Sequence, residues 1–212
     1  MSEMCARLHR LFQRQPLLRF PIDDTAIPPN GIYILFETGE VAHGAHRIVR
    51  VGTHTGNDQL RSRLRQHFVK EHKDRSIFRK NIGRALLNRD NDPFLAQWEI
   101  DLTTSGAKKR YGPTMDFARQ AKIERQVTER IQEFFQFAVF GVEDKATRLK
   151  LESMIISTIS RCDECGPSQQ WLGLHSPKSK IRESGLWLVN ELYRSPLSES
   201  EYIELAKRLT SA

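Results

Sequence analysis

Tyr33, Arg50, Arg63 and His67 lie close together along a basic chain, and Glu152 follows on a later helical stretch. These residue types suit the binding and cutting of a phosphodiester. Arginine presents paired N–H groups to two phosphate oxygens. Imidazole passes a proton or donates to a non-bridging oxygen. A phenol beside a cation ionises more readily, because the cation stabilises the phenolate. A carboxylate set among apolar residues costs free energy unless it is paired or holds a cation.

Two strands and two helices must position these groups. Residues 31–37 (GIYILFE) read as a strand from their β-branched and aromatic content, and 47–52 (RIVRVG) as a second. Gly39 and Gly44 mark a turn over 38–46, so the pair is most simply a hairpin. Side chains alternate along a strand. Ile32, Ile34 and Phe36 therefore share a core face, and Tyr33 lies opposite. Val49 and Val51 are expected on that same core face, which sets Arg50 on Tyr33's side. The competing reading is a half-exposed tyrosine and arginine on a solvated sheet.

Asn57 or Asp58 can cap a helix running to about His72, with Leu60, Leu64 and Phe68 as its apolar stripe. Arg63 and His67 are one helical turn apart and share a side bordering that stripe. A helix over 145–160 carries Leu149, Ile155, Ile156 and Ile159 on one arc. Glu152 falls inside the arc at about 100° per residue. A structural salt bridge explains such a carboxylate, and so does a hard cation, since Mg²⁺ takes one or two carboxylates.

The remaining elements form the frame. Helices are expected over 4–14, 76–88, 115–134, near 184–194 and over 198–210. A strand is expected over 135–142 and another within 93–101, with an irregular lead-in at 15–30 and a loop at 102–114. The fold class is α+β: a small antiparallel sheet of three, or four, strands flanked by helices. Residues 1–29 read as an N-terminal helix and lead-in, 30–170 as the central domain, and 171–212 as a helical extension packed on it.

Gly31-Ile32-Tyr33, Val51-Gly52 closing the second strand, the segment RLRQHF (63–68) and Glu152 on a later helix together resemble the GIY-YIG nuclease family over roughly residues 30–170. The resemblance implies a three-stranded antiparallel sheet flanked by helices, and an endonuclease that uses one divalent ion, Mg²⁺ or Mn²⁺. It implies that Tyr33 is the general base or activates the nucleophile, that Arg63 stabilises charge on the scissile phosphate, and that His67 assists proton transfer. Glu152 would hold the metal. Gly31, Gly52, Arg50, His54 and Ser168 are expected in supporting places.

Two departures stand out. Arg50 replaces the family's second tyrosine. The family's asparagine after the glutamate helix has no counterpart between Glu152 and Asn190, leaving Ser168, Gln169 or Gln170 as polar substitutes. The hairpin loop is also longer than the family pattern.

A formal net charge of +7 suits a polyanionic partner. DNA is the expected one, with RNA left open, bound by a monomer or a homodimer. Arg61, Lys70, Arg75, Arg79, Lys108 and Lys109 are candidate phosphate contacts, which add affinity without reading sequence. No run approaches about 18 apolar residues, so no membrane span is expected. A start without a leader and three cysteines point to a reducing, cytoplasmic setting.

Cys162-x-x-Cys165 has metal-ligand spacing, but a structural zinc site takes four ligands, and Cys5 and His175 would have to complete it from afar. Two free thiols in a helix-ending turn is the simpler reading. Trp171, Trp187 and Phe78 read as core or cover rather than base-stacking platforms. The rivals to an active nuclease are a catalytically weak or inactive nucleic-acid-binding module on the same fold, and an interaction scaffold whose charge is incidental.

Overall fold

Five apolar residues in a row, Ile32 to Phe36, require a strand covered on both faces. In the computed structural model, which describes residues 2–210, that segment is the inner strand of an antiparallel sheet. The chain runs through α1 (Ser2–Gln13), β1 (Leu18–Arg19), β2 (Gly31–Ala42), β3 (Ala45–Gly52), α2 (Leu60–Phe68) and α3 (Ile77–Arg89). It continues through α4 (Leu95–Glu99), α5 (Ser105–Tyr111), α6 (Phe117–Phe134), β4 (Phe135–Gly141), α7 (Lys145–Ser160), α8 (Ser179–Ser184) and α9 (Glu199–Thr210). The strand order is β1-β4-β2-β3. Three strands carry the sheet, and the two-residue β1 adds a fourth at its edge.

Each face of β2 feeds its own core. Ile32, Ile34 and Phe36 pack with Leu8 and Phe12 of α1, Ile155 and Ile159 of α7, and Leu205 of α9. Tyr33 and Leu35 pack with Leu64 and Phe68 of α2, Phe78 and Ile82 of α3, and Ile131 of α6. Burying each large apolar side chain contributes about 1.5–3 kcal/mol, so both layers are needed. Trp171 and Trp187 belong to the second core, and both indole N–H groups donate to the buried Glu37 carboxylate at 2.9 Å. Neither is available for stacking on a base.

The hairpin is irregular where the site is built. Leu35 pairs with Arg50 but Phe36 pairs with Ile48, so Val49 has no partner across β2. This bulge corrects the expected alternation. Val51 joins the face of Ile32 and Ile34, while Val49 turns onto the face of Tyr33. An extra residue reverses strand parity on one side of the bulge only.

Other boundaries also moved. The segment FLAQWEI is helical (α4), because Trp98 turns under α3 and donates its indole N–H to Lys80 O at 3.0 Å. The basic knot at 105–111 is a short helix capped by Thr104 rather than a loop. No helix covers 184–194. α8 stops at Gly185, which adopts the left-handed conformation with φ 67°. The chain then extends, and Trp187 N–H donates to Val49 O at 2.7 Å. α2 starts at Leu60, because Asp58 sits at φ 55° and exchanges hydrogen bonds with Asn30 instead of capping.

Gly52 lies directly opposite Tyr33. A Cβ there would stand 2.2 Å from the Tyr33 hydroxyl. Gly52→Ala is therefore expected to displace the phenol and cost about 1–3 kcal/mol, read as a lower midpoint in chemical denaturation with an unchanged slope.

Candidate active site

A cleft of about 440 Å³ opens between the end of β3, α2, the start of α3, α7 and the chain after α8. Arg50, Arg63, Asn81 and Glu152 line it, with Asn190 and Glu191 at the C-terminal side. Two of the strand and helix residues singled out from sequence thus converge with Glu152. The apolar wall includes Leu149, which is 38% exposed and so belongs to the cleft rather than to the core.

Tyr33 and His67 lie behind this wall. Both are fully buried, and neither borders the cleft. The Tyr33 hydroxyl is 2.8 Å from His67 Nε2, and Arg50 Nε donates to the same hydroxyl at 3.3 Å. His67 Nδ1 is 2.7 Å from Ser76 Oγ, the group that caps α3. Arg50 also donates to Trp187 O. Its guanidinium is held from two sides, between the phenol and the segment after α8. Direct roles for Tyr33 as base and for His67 in proton transfer at the phosphate do not fit this enclosure. Arg50 stands between them and the cleft.

Burial and the charges of Arg63, Arg50 and Arg79 push His67 well below the usual imidazole range. A neutral ring is what a hydroxyl needs as an acceptor on one nitrogen. Arg79, expected as a phosphate contact, is fully buried. It ion-pairs with Glu124 at 2.8 Å and donates to His67 O at 3.1 Å, so it serves the core. Arg61, Lys70, Arg75, Lys108 and Lys109 are exposed.

Glu152 accepts a hydrogen bond from Thr53 N–H at 3.1 Å. Burial raises its pKa; Arg50 and the Thr53 amide oppose this, and Glu191 adds to it. Such a carboxylate is short of positive charge. With Glu191 beside it, the donor set fits a hard divalent cation, which takes one or two carboxylates and keeps several waters. Glu191 itself adopts φ 63° and accepts from Ser153 Oγ at 2.6 Å.

The supporting residues divide. Gly31 N–H donates to His54 Nε2 at 3.3 Å, and His54 Nδ1 is 2.8 Å from Gly56 O. Nε2 of His54 thus ties the β3–α2 connection to β2, and Nδ1 holds the connection's own turn. Ser168 is engaged elsewhere: its amide donates to Glu40 at 3.1 Å, and its hydroxyl also bonds that carboxylate. It does not supply the missing asparagine contact. Asn190 lines the cleft instead, and so does Asn81, whose Nδ2 is buried without a partner. Glu191 and Asn190 sit in a stretch expected to be helical, and only the placement of that stretch over the bulge brings them in. Asn81 had no signal beyond its position near the start of an amphipathic helix.

A buried neutral histidine must charge when the chain unfolds in acid. Above the ordinary pKa of 6.5 both states are neutral. Below it the unfolded chain binds a proton that the folded chain refuses, so stability falls as pH drops towards the depressed folded value. Burial depresses His54 in the same direction. Wild type is expected to lose up to about 1.4 kcal/mol per pH unit below about 6.5 for His67 alone. His67→Gln should flatten that slope by one proton in urea melts taken between neutral pH and about pH 5.

A family model described as a GIY-YIG domain matches residues 3–209. Domains of this family are generally endonucleases, typically dependent on a divalent metal and acting on DNA. The match therefore carries a nuclease-type function. Comparison with curated proteins and with solved structures gave no match. The family match extends beyond the motifs at both ends, taking in the α1 and α9 layer and the segment after α8 that closes the cleft, and on that match the chain belongs to the GIY-YIG domain family.

Proposed function

We propose that this protein is a divalent-metal-dependent endonuclease that hydrolyses phosphodiester bonds of DNA. The observation that carries the reading is the convergence of Arg50, Arg63 and Glu152 on one cleft. Arg63 and Arg50 hold the non-bridging oxygens of the scissile phosphate through paired N–H donors. Asn81 Nδ2, otherwise unpartnered, supplies a further donor to the same group. Glu152, with Glu191, holds the ion, Mg²⁺ or Mn²⁺, which when bound acts as a Lewis acid on the phosphate and stabilises the leaving oxygen. Tyr33 and His67 position Arg50. The phenol gives its hydrogen to neutral His67 and keeps its oxygen for Arg50 Nε. Exposed Arg61, Lys70, Arg75, Lys108 and Lys109 steer and hold the duplex backbone.

A second reading, a nucleic-acid-binding module with weak or absent cleavage, is favoured by the enclosure of Tyr33 and His67 and by Arg50 in place of a tyrosine. It predicts salt-dependent binding and no cutting with any divalent ion.

Plasmid nicking in Mg²⁺ separates the two. Glu152→Gln is expected to abolish cutting while leaving the melting curve intact. The raised pKa of Glu152 means that its charge opposes folding, so its removal does not destabilise. Arg63→Ala should lower the single-turnover rate by about 10²–10³, the usual effect of losing one transition-state donor. Unchanged cutting by Glu152→Gln would reject the site. Absence of cutting by pure wild type, with DNA bound at low salt, would establish the second reading.

A further inference from the structure

The face of the sheet away from Tyr33 holds a second group of chemically capable residues. Cys5 and His9 are one turn apart on α1, His43 sits at the tip of the β2–β3 hairpin, and Cys165 follows α7. Their ligand atoms all lie within 4.8 Å of one another. Cys5 and His9 are fully buried, and Cys165 is 3% exposed. We propose that Cys5, His9, His43 and Cys165 form a structural site for a soft divalent ion, Zn²⁺.

The chemistry of the donors fits. Two thiolates and two imidazoles make a tetrahedral set that suits zinc. With Zn–S near 2.3 Å and Zn–N near 2.0–2.1 Å, ligand atoms on a tetrahedron stand about 3.3–3.8 Å apart. Cys165 Sγ is 3.5 Å from His9 Nε2. His9 Nδ1 is 2.9 Å from Cys5 O, an outer hydrogen bond that fixes the tautomer and leaves Nε2 as the donor atom. Glu164 Oε2 stands 3.8 Å from His43 Nδ1, the equivalent outer partner. His9 Nε2 also accepts from Ile48 N–H at 3.1 Å, and the ion takes the place of that bond.

Cys162 is the neighbour outside the set. Its Sγ is 3.4 Å from His43 Nε2 and 3.7 Å from Ser2 Oγ. The C-x-x-C spacing therefore marked the right turn, but the partners are Cys5, His9 and His43. His175, the histidine weighed from sequence, is exposed near Asn88. The ion would tie α1, the hairpin tip and the turn that follows α7, the helix that also presents Glu152. A clamp there fixes that helix against the sheet without touching the cleft.

The test is elemental analysis of the full chain purified without added metal, followed by cobalt substitution. The expected result is about one zinc per chain, with a tetrahedral cobalt spectrum whose charge-transfer intensity counts two thiolates. Cys165→Ser and His43→Ala should lose the ion, Cys162→Ser should keep it, and Glu152→Gln should keep it while losing nicking. Should the ligand variants fail to fold, chelation and re-addition in wild type give the answer: thiol reactivity should rise and the melting temperature fall by about 5 °C or more without zinc, and both should return with it. A folded chain that takes up no stoichiometric zinc or tetrahedral cobalt overturns the site. Loss of the ion from Cys162→Ser overturns the ligand set.

Discussion

Val49 has no partner across β2, and the bulge it makes turns Val49 onto Tyr33's face beside Arg50, with its carbonyl accepting from Trp187 N–H. The bond of Arg50 to Trp187 O goes with this placement of Trp187. The guanidinium reaches the phenol on one side and Trp187 O on the other. The same bond to Val49 lays the chain after α8 along β3, which brings Leu188, Asn190 and Glu191 to the cleft. A regular hairpin would keep Arg50 on Tyr33's face, opposite Leu35, but turn Val49 onto the other face. Bulges commonly re-aim a side chain next to a functional site.

Behind Arg50 the polar groups are buried and fully used. His67 stays neutral between Tyr33 and Ser76, and Arg79 joins it to Glu124. In front, Arg63, Glu152 and Asn81 keep capacity for a ligand. This asymmetry separates an enclosed support from an open wall. Such partly satisfied groups cost free energy in the empty protein, a cost offset by the two apolar cores on either side of β2. The two proposed ions divide in the same way: oxygen donors at the cleft for a hard cation, sulfur and nitrogen donors on the opposite face for zinc.

Much of this is legible in the sequence because the signals are local. β2 follows from its β-branched and aromatic content, α2 and α7 from apolar spacing, and Glu152 stands out as a carboxylate inside an apolar arc. Arg50 was placed beside Tyr33 correctly, but by a parity argument that the bulge breaks at Val49. The failures have a common cause: burial decided by distant chain. The sequence offers Tyr33 as a reactive group, but α2, α3 and α6 cover its face. Arg79 looked like a phosphate contact until Glu124 met it across two helices. Asn190, Glu191 and the His9–His43 pair gain meaning only from tertiary contact, since nothing local in their segments marks them.

In the proposed site Arg50, held by Tyr33 and His67, contacts the phosphate in place of a cleft-facing tyrosine. Single-turnover cleavage of supercoiled plasmid in saturating Mg²⁺ by Arg50→Ala and Tyr33→Phe, with folding checked by melting, separates the two roles. Arg50→Ala is expected to lose about 10²–10³ and Tyr33→Phe no more than about 10-fold, since the phenol acts only by orienting the guanidinium. A Tyr33→Phe enzyme that keeps Arg50 yet loses cutting as completely as one lacking Glu152 would contradict it and return Tyr33 to the reacting atoms.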